Sequence, residues 1–521
     1  MEPTETDMDS VDVVVLGGAL SGAAAAYLLK KKRPGLSVRV IERSGVFSRR
    51  VGEATVEISS YFLTRVLGLT EYLNQEHLNK QGLRFWFHKR GSEDADACSE
   101  VGPGYNVRIP SFQVDRARMD EEVLRRAVEA GAELVRPAEV KAVDLMRGGL
   151  STVTYVADGQ TTTLRARWVV DATGVAKFLA RKNGWVRPND AHPISSIWSR
   201  FQGVACLDDP EMRTRLPGMA GRGHGTRFTA TNHLVGDGWW SWWIPLKGGD
   251  MSVGVVYDER IAHVPPGRPG ERLRALLETH PLARELLRNA EADEDDLHYR
   301  KNLPYVSQEI AGDGFVLVGD AAGFMDPFYS PGMDWISFGV CAATNLIMRE
   351  RLGRPTKELA ERVNADFKLS YERWFISIYK DKYFYMGDYE LMLLAFRLDL
   401  GLYYLGVVSQ PYKRGWQGMF RPAFTGPSTN GPYRFIRLYN RRLANIARSR
   451  RARGTWGRRN TGEAFMFNSY TLDWKLPVRL LFAFASWGSL ELREGWRTWF
   501  RVPADVHPQP IPEPKTAMNP P

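Results

Sequence analysis

The feature that most constrains the fold lies near the start of the chain, where a valine-rich run gives way to glycines and then to alanines. Residues 11–16 read VDVVVL, a pattern typical of a strand buried on both faces. Residues 17–22 read GGALSG, and the AAAAYLLKKK that follows has high helix propensity, with cations in its last turn. SVRVIE at 37–42 is a second strand-like run. This order predicts a βαβ unit rather than a membrane span.

The glycine turn and the acid after the second strand have the spacing of a dinucleotide-binding site. Gly17 and Gly22 occupy the first and last glycine positions of G-x-G-x-x-G, and Glu42 ends the second strand. In such a unit the first glycine permits a tight turn, the helix N-terminus binds pyrophosphate, and the acid bonds ribose hydroxyls. The middle position is Ala19, so the backbone must accept one methyl group where it nears the pyrophosphate.

Two later segments share the pattern of a hydrophobic strand that ends in an acid and small residues. They are WVVDATG at 168–174 and GFVLVGDAAGFMDP at 314–327. Buried strands that end in small-residue turns would explain the valines, but not Asp171 together with Asp320. With the glycine turn, these segments resemble the FAD-contacting motifs of the glutathione-reductase-type flavoproteins. The resemblance implies an α/β, Rossmann-like fold that binds FAD, with Asp320 against its ribityl or pyrophosphate end.

The patterns along the rest of the chain predict further helices and strands. A helix is predicted over 115–134, a hairpin over 152–170, strands over 195–257 and helices over 271–289. The predicted domains are an FAD-binding domain at 1–350 with a substrate-binding β-sheet inserted at about 83–112 and 190–300, a mainly helical region at 351–505, and a disordered tail at 506–521.

Composition and charge narrow the setting of the protein. The net charge of +10 is compatible with nucleic acid, an anionic membrane surface or an acidic partner. Nucleic-acid binding is the least favoured of these, because the arginine-rich block at 441–459 is not part of a recognisable module. Contact with a membrane surface is possible but is not favoured either. The apolar run at 391–408 contains charged residues, which favours a buried helix over a membrane span. The three cysteines have neither CxxC spacing nor an even number, so we expect reduced thiols in a cytoplasmic protein and no metal site.

A tryptophan-rich strand narrows the chemistry. Residues 238–245 read GWWSWWIP, and alternation along a strand places Trp240, Trp242 and Ile244 on one face. An aromatic core strand would have the same composition. However, the pattern W-x-W-x-I-P between DATG and GDAAGFMDP resembles the signature of the flavin-dependent halogenases, the family typified by tryptophan halogenase. In that family the tryptophans lie near the flavin and are thought to keep organic substrate away from it.

Two further segments resemble the same family. VGEAT at 51–55 resembles V-G-E-[SA]-T, and HLNKQGLRFWF at 77–87 follows where the family carries its active-site lysine, which aligns with Lys80. A solvated surface lysine is the alternative interpretation of Lys80. The resemblance implies that reduced FAD and O2 form a C4a-hydroperoxide and that halide attacks it to give hypohalous acid. Lys80 would then hold this species as a chloramine or through a hydrogen bond, next to an electron-rich arene.

The resemblance also implies roles for residues around the flavin. Lys80, Tyr329 and Ser330 are expected to be catalytic, Ser330 and Gly332 to hold halide, and Trp240 and Trp242 to lie near the flavin. The expected cofactor contacts are Gly17, Gly18, Ala19, Gly22, Glu42, Arg43, Glu53, Ala54, Arg116, Asp171, Gly174, Gly319, Asp320, Pro327, Gly332 and Met333.

The chain departs from the family pattern at two positions. Tyr329 stands where tryptophan-acting members have a glutamate, which favours a phenol-like substrate over free tryptophan. Pro331 replaces one of the two residues after Ser330 whose amides bind halide in the family, and proline has no N–H. Losing one such donor should weaken halide binding about tenfold or more.

Three hypotheses therefore stay open. The first is an FADH2- and O2-dependent halogenase of a phenol-like substrate, either free or tethered to an acyl carrier protein. No second glycine-rich loop for NAD(P) is apparent, so a separate flavin reductase is expected to supply the reduced FAD. The second is a flavin monooxygenase or other oxidoreductase on the same scaffold without a halide step. The third is a geranylgeranyl-reductase-like enzyme that acts on lipid at a membrane surface.

Overall fold

A computed structural model describes residues 9–223, 226–468 and 470–503 of the chain. The tail predicted to be disordered, 506–521, lies outside the described residues. The strands, numbered β1 to β22 in chain order, are Ser10–Leu16, Val38–Ile41, Leu78–Asn79, Leu83–Phe87, Ser99–Pro103, Phe112–Gln113, Glu133–Val135, Ala138–Asp144, Ser151–Ala157, Gln160–Asp171, Val186–Pro188, Ile194–Gln202, Thr231–Val235, Trp239–Pro245, Met251–Asp258, Glu291–Ala292, His298–Arg300, Tyr305–Ser307, Ala311–Gly312, Phe315–Leu317, Gly323–Phe324 and Ala464–Phe467. The α-helices, numbered α1 to α15, are Leu20–Lys32, Glu57–Tyr61, Thr70–Glu76, Arg116–Glu129, Phe178–Lys182, Pro210–Arg215, Pro217–Ala220, Pro269–Glu278, Pro281–Leu286, Gly332–Arg351, Lys357–Trp374, Tyr389–Tyr403, Ser409–Arg414, Asn430–Ala452 and Lys475–Arg493.

The first layer is a parallel sheet in the order β20, β10, β1, β2, β7. Its central strand, β1, is almost entirely buried, as the valine run predicts, and the alanines of α1 pack closely over the sheet. Strands β8 and β9 extend it as an antiparallel meander into β10. The predicted βαβ opening and the predicted hairpin are both confirmed. The α/β, Rossmann-like fold class is therefore confirmed.

The helix predicted over 115–134 is too long. In the structure α4 ends at Glu129, and residues 133–135 form strand β7 at the edge of the parallel sheet. Gly131 between them has φ +97°, a conformation that ends a helix and that glycine adopts without strain. The turn at Gly131 and the pairing of β7 with β2 thus override the helix propensity of the AVEAGAEL segment.

The second layer is a nine-stranded sheet built from segments that are far apart in the sequence. Its main order is β16, β12, β15, β14, β13, β4, β5, β22, with β17 beside β12. The inserted segments supply all of its strands except β22, which comes from the C-terminal region and pairs in parallel with β5. The interpretation of that region as helical therefore misses one strand. Short helices α6 and α7 also lie within 195–257, where only strands are predicted.

The tryptophan-rich strand β14 separates two hydrophobic cores. Trp240, Trp242 and Ile244 belong to the core between this sheet and the C-terminal helices. Trp239 and Trp243 belong to the core on the opposite face, under α8 and α9. The alternation predicted along GWWSWWIP is confirmed, and β14 is buried on both faces.

The C-terminal helices cover one face of the second sheet, and a buried ion-pair network holds them together. Arg450 of α14 has no exposed side-chain surface and bonds carboxylates of Asp388, Glu390 and Glu494. Arg458 reaches Glu390 and Glu494 as well. Much of the arginine-rich block therefore binds acids of its own domain.

One helical run of the described residues, Tyr389–Met419, is long and apolar enough to cross a membrane by length and composition, with a mean hydropathy of 1.7 over its most apolar window. Of that window, 61% is buried inside the protein, as in the core helix of a soluble protein. The structure therefore agrees with the predicted buried helix at 391–408.

Candidate active site

The carboxyl ends of four parallel strands meet at one edge of the first sheet. Leu16 of β1 lies opposite Ile41 of β2 and Asp171 of β10, and Asp171 lies opposite Leu317 of β20. The glycine turn, Glu42, the DATG turn and the GDAAG turn each follow directly after one of these strands. Parallel pairing thus brings three motifs that span more than 300 residues to one place, at the edge where such sheets bind ligands.

Two glycines at this edge are required by close backbone approach. A Cβ on Gly22 would lie 1.9 Å from the carbonyl oxygen of Gly17 and 2.9 Å from Val15, so α1 packs against β1 only with glycine there. A Cβ on Gly319, whose φ is +60°, would lie 2.6 Å from the Ser21 hydroxyl oxygen of α1. These contacts match the packing role of the last glycine in a dinucleotide-binding turn and fit the GDAAG turn against it.

The N-terminus of α1 is open to an anion. Its N-cap residue, Ala19, makes no side-chain capping hydrogen bond, and the first turn contains no acid. The amide N–H groups of such a turn lack intrahelical acceptors and favour a phosphate group. Beside them, the carboxylate of Glu42 accepts hydrogen bonds from the amides of Gly18 at 2.6 Å and Ser44 at 2.7 Å. The residues present therefore fit the pyrophosphate and ribose of a dinucleotide.

Asp320 and Asp171 differ in what holds their carboxylates. Burial raises the pKa of Asp320, and the nearby cations of Arg116, Arg300 and Lys177 counter this. Asp171 instead accepts hydrogen bonds from the amide and hydroxyl of Thr173, at 3.0 and 2.6 Å, and from the amide of Leu179 at 2.8 Å. Asp171 is therefore the residue that shapes the DATG turn, and its contact with the cofactor stays a prediction.

Glu53 and Arg116 have internal partners as well. Buried Glu53 accepts a hydrogen bond from Arg200 at 2.6 Å, which joins the VGEAT segment to the second sheet. Arg116 pairs with buried Asp120 at 3.0 Å in the first turn of α4. Arg43, in contrast, is exposed.

A separate cavity of about 270 Å³ lies between the second sheet and the C-terminal helices. Lys80 lines it and is only 1% exposed, so the interpretation as a solvated surface lysine is wrong. Its Nζ donates a hydrogen bond to the carbonyl oxygen of Thr55 at 2.8 Å. Burial lowers the pKa of Lys80 to about 8, although Glu57 and Asp334 favour its charged form.

Tyr329 reaches this cavity from the segment FYSPG, and its φ is +68°. Its hydroxyl donates to the Oδ2 of Asp399 at 3.1 Å, and Lys382 donates to the same atom at 2.6 Å. Ser330 also has a positive φ, +56°. Two successive non-glycine residues in the left-handed region store strain of the kind found at functional sites. The buried pair Lys382–Asp399 holds this arrangement in place.

The turn after Tyr329 has few amides to offer a halide. The amide of Ser330 already donates to the carbonyl of Pro327 at 2.8 Å, and Pro331, which lines the cavity, has no N–H. Helix α10 begins at Gly332, so the amides of Gly332 and Met333 lie in its first turn and have no intrahelical acceptor. A Cβ on Gly332 would meet open space. These two amides, with that of Asp334 beside them, are therefore available as donors at the start of α10.

Asp334 is a carboxylate of the cavity that sequence patterns did not single out. It lies in the first turn of α10 and accepts hydrogen bonds from the amide of Ser59 at 2.9 Å and the hydroxyl of Tyr403 at 2.8 Å. Burial raises the pKa of Asp334 to about 7. A lysine and a carboxylate with pKa values of about 8 and 7 therefore face one cavity, an arrangement suited to proton transfer near neutral pH.

Comparison with known proteins agrees with both parts of the site. Residues 12–213 match the model of the FAD dependent oxidoreductase family. The flavin-dependent halogenase chlA of Dictyostelium discoideum is 26% identical over 69% of this chain and 63% of its own length. The tetracycline 7-halogenase of Kitasatospora aureofaciens is 27% identical over 62% of this chain and 60% of its own length. The chain thus matches less than two thirds of either relative.

The chain is thus similar to flavin-dependent halogenases, as its sequence motifs predict. Its fold is also that of a solved structure, halogenase PltM in complex with phloroglucinol and FAD, with a TM-score of 0.71 at 19% identity over 91% of this chain and 96% of that one. The predicted resemblance is therefore confirmed, and the matches agree with the expectation of an enzyme.

The tryptophan strand β14 contacts the segment that leads to the cavity. The ring of Trp240 lies 5.1 Å from that of Phe328, which precedes Tyr329, and its Nε1 donates to the Tyr383 hydroxyl at 2.9 Å. Trp242 donates to the Ser252 hydroxyl at 3.1 Å. The strand thus lies close to the segment that carries Tyr329, while its position near flavin stays a prediction.

The structure separates the predicted residues into two groups. One group surrounds the sheet edge that fits FAD, and the other lines the cavity or the turn beside it. The first contains Gly17, Gly18, Ala19, Gly22, Glu42, Asp171, Gly174, Gly319 and Asp320, and the second contains Lys80, Tyr329, Ser330, Pro331, Gly332 and Met333. The roles of both groups in cofactor binding, halide binding or catalysis stay predictions, as do the cofactor contacts of Arg43, Glu53, Ala54, Arg116 and Pro327.

Proposed function

We propose that the protein is an FADH2- and O2-dependent halogenase of an electron-rich, phenol-like aromatic substrate. The observation that carries the proposal is Lys80, a buried lysine with a lowered pKa and one carbonyl partner, which opens into a cavity apart from the cradle that fits FAD. Burying a lysine in this way lowers the stability of the folded state, which favours a chemical role over a structural one.

Bound FAD, supplied reduced by a separate flavin reductase, would provide the activated oxygen. The glycine turn, the N-terminus of α1 and Glu42 would hold its pyrophosphate and ribose. The sheet containing Trp240 would exclude the organic substrate from that side. These residues bind and orient the cofactor, while the chemistry on the arene falls to the residues of the cavity.

Lys80 would hold hypohalous acid next to an aromatic ring in the cavity. The Thr55 carbonyl accepts one hydrogen bond from Nζ, and Lys80 lines the cavity. Hypohalous acid would transfer its halogen to a ring carbon, which breaks the oxygen–halogen bond, forms a carbon–halogen bond and releases the ring proton. The hydroxide left behind takes up a proton and leaves as water. Asp334 lines the same cavity and, with a pKa of about 7, is suited to accept that proton.

The nature of residue 329 supports a phenol. Tyr329 carries no carboxylate that could act on the arene, and its hydroxyl donates a hydrogen bond to Asp399. A phenol needs none at that position, because its own oxygen stabilises the cationic ring. The cavity is compatible with a substrate that is free or tethered to an acyl carrier protein, and the three free thiols fit a cytoplasmic setting.

A monooxygenase without halogenation is the second candidate, favoured by the turn at Pro331. Of the two residues after Ser330, Pro331 offers no amide to a halide, which leaves the amides at the start of α10. A geranylgeranyl-reductase-like reaction, the third hypothesis, would reduce a lipid double bond and consume no halide.

One assay tests the three hypotheses. Purified protein is combined with a flavin reductase, NADH, FAD, chloride or bromide, and a panel of phenols, and the products are analysed by mass spectrometry. We expect products with halogen isotope doublets from the wild type with halide, and no such products without halide or from Lys80→Met. The matched control is Lys30→Met, since Lys30 is also buried and bonds two carbonyls but lies at the far end of α1. Hydroxylated product, or turnover indifferent to halide, would exclude the halogenase.

A further inference from the structure

Helix α15 and the segment after it expose an apolar face that no described part of the chain covers. Trp474, Leu481, Phe482 and Phe500 are 74%, 65%, 65% and 97% exposed. The exposed apolar residues of this surface are Trp474, Val478, Leu481, Phe482, Leu492, Trp496, Trp499 and Phe500. Exposed apolar side chains of this number along one helix and the segment after it are unusual on a protein without a partner and mark an interaction site.

The spacing shows that this is one face of the helix. The exposed positions 474, at the N-cap, and 478, 481 and 492 differ by four, three and eleven residues, which places them on the same side of α15. Trp496, Trp499 and Phe500 belong to the segment after the helix. The opposite side, with Leu476, Leu480, Ala483 and Leu490, is buried against the protein. Helix α15 is therefore apolar on both faces, although only one of them packs.

The charges around the face identify what it binds. Lys475, Arg497 and Arg501 are exposed at its two ends. The acids near this face are paired with other cations: Glu491 pairs with Arg442, and buried Glu494 pairs with Arg450. A third acid, Asp473, caps the start of the helix.

The neighbouring helix α14 adds to the positive charge. Phe435 of α14 meets Phe484 of α15 edge to face, with ring centroids 5.0 Å apart, so the two helices lie side by side. The exposed positions of α14 include Arg434, Arg437 and Arg441.

We propose that this face, the α15 face, docks the enzyme on the surface of an anionic lipid bilayer. Tryptophans at both ends of the helix with leucine and phenylalanine between them, flanked by cations, form the pattern of an interfacial helix. A water-soluble acidic partner would pair with the cations but would leave the large apolar rings exposed to water. A bilayer surface satisfies both, because its headgroups are anionic and its acyl boundary is apolar.

Docking in this orientation places the reaction cavity close to the bilayer. Helix α15 packs on α12 where Gly401 lets Leu480 approach, since a Cβ on Gly401 would lie 2.5 Å from Leu480. Leu400 and Leu402, next to Gly401, line the cavity that contains Lys80. One helix diameter, about 10 Å, therefore separates the face from that cavity. This inference does not depend on halogenation, because binding is measured without turnover.

The test is co-sedimentation of the full-length protein with vesicles. Mixed phosphatidylcholine–phosphatidylglycerol vesicles should bind it, and phosphatidylcholine vesicles should bind it more weakly. The double variant Leu481→Gln/Phe482→Gln should lower the partition constant at least tenfold. Arg497→Gln/Arg501→Gln should weaken binding to the anionic vesicles about 30-fold and change binding to the neutral ones little.

The matched control is Val46→Gln/Met146→Gln, which removes two apolar side chains of similar exposure outside the face and should leave binding unchanged. All of these positions are exposed, so circular dichroism should show an intact fold in each variant. Wild-type protein that fails to bind anionic vesicles would overturn the proposal. Unchanged vesicle binding by the Leu481→Gln/Phe482→Gln variant would also overturn it. The same holds if the wild type binds no vesicles but forms a dimer, or a complex with purified acyl carrier protein, that this variant abolishes.

Discussion

Replacing Lys80 with methionine should stabilise the protein at pH 7 while abolishing halogenation. Lys80 is buried, donates one hydrogen bond to the Thr55 carbonyl, and is only partly compensated by the charges of Glu57 and Asp334. Methionine has nearly the same length and carries no charge. The substitution therefore removes the cost of burying an ammonium group and leaves the cavity filled.

The size of the effect follows from the pKa of Lys80, which falls from 10.5 to about 8 through burial. A difference of about 2.5 in pKa corresponds to about 3 kcal/mol against the charged form. Loss of the hydrogen bond to Thr55 offsets about 1 kcal/mol of this. The variant should thus be about 2 kcal/mol more stable than the wild type at pH 7.

The sign of the pH dependence gives a second measure. Because the folded-state pKa lies below the unfolded one, the unfolded chain binds more protons between about pH 8 and pH 10.5, and wild-type stability rises across that interval. The advantage of the methionine variant should shrink accordingly by pH 10. Urea unfolding at pH 7 and pH 10, with halogenation assayed in parallel, measures both effects. Lys30→Met should lose stability instead, because its two backbone hydrogen bonds are lost. A Lys80→Met variant that is less stable than the wild type at pH 7, or that still halogenates, would refute the reasoning.

Three further predictions concern the turns and the carboxylate around the site. Pro331→Thr should lower the halide KM about tenfold by restoring an N–H donor, measured by halogenation against chloride concentration, and an unchanged KM would argue that the turn binds no halide. Gly22→Ala should abolish FAD binding, measured by flavin fluorescence, because its Cβ would overlap the Gly17 carbonyl, whereas Gly35→Ala, whose Cβ meets open space, should bind normally. Burial raises the Asp334 pKa to about 7, so the wild type should lose about 4 kcal/mol of stability as the pH rises from 4 to 7. Asp334→Asn should not show this loss. Equal slopes of unfolding free energy against pH in the two proteins would contradict the prediction.

The cofactor cradle could be predicted from the sequence because its determinants are local. Gly17, Gly22 and Glu42 lie within one βαβ unit, and the valine run fixes its first strand. Only the parallel pairing that unites this unit with Asp320 is long-range, and the repeated strand-then-acid pattern signals it. Local spacing and burial thus decide this half of the site.

The acids of the cavity could not be predicted in the same way, because their partners lie far away in the sequence. Asp334 meets Ser59 across 275 positions, and Asp399 meets Tyr329 across 70. Asp399 did leave a signal, since it is a charge within an otherwise apolar helical run, and a buried charge requires a partner. Asp334 left none, because an acid in the first turn of a helix is ordinary. Resemblance to the halogenases located Lys80, but only the structure showed which carboxylates face it.

If the proposed halide site lies at the start of α10, the position of Asp334 predicts that halide binding depends on pH. The amides of Gly332 and Met333 directly precede Asp334 in the first turn of α10. An ionised carboxylate there opposes a bound anion, whereas a protonated one does not. Because the pKa of Asp334 is about 7, the halide KM should rise several-fold between pH 6 and pH 8, and halide should raise the pKa of Asp334 in return. Asp334→Asn should bind halide with a KM that stays flat over this interval. Halogenation measured against chloride concentration at each pH decides the matter: a flat wild-type profile, or a rise that persists in Asp334→Asn, would place the halide away from this turn.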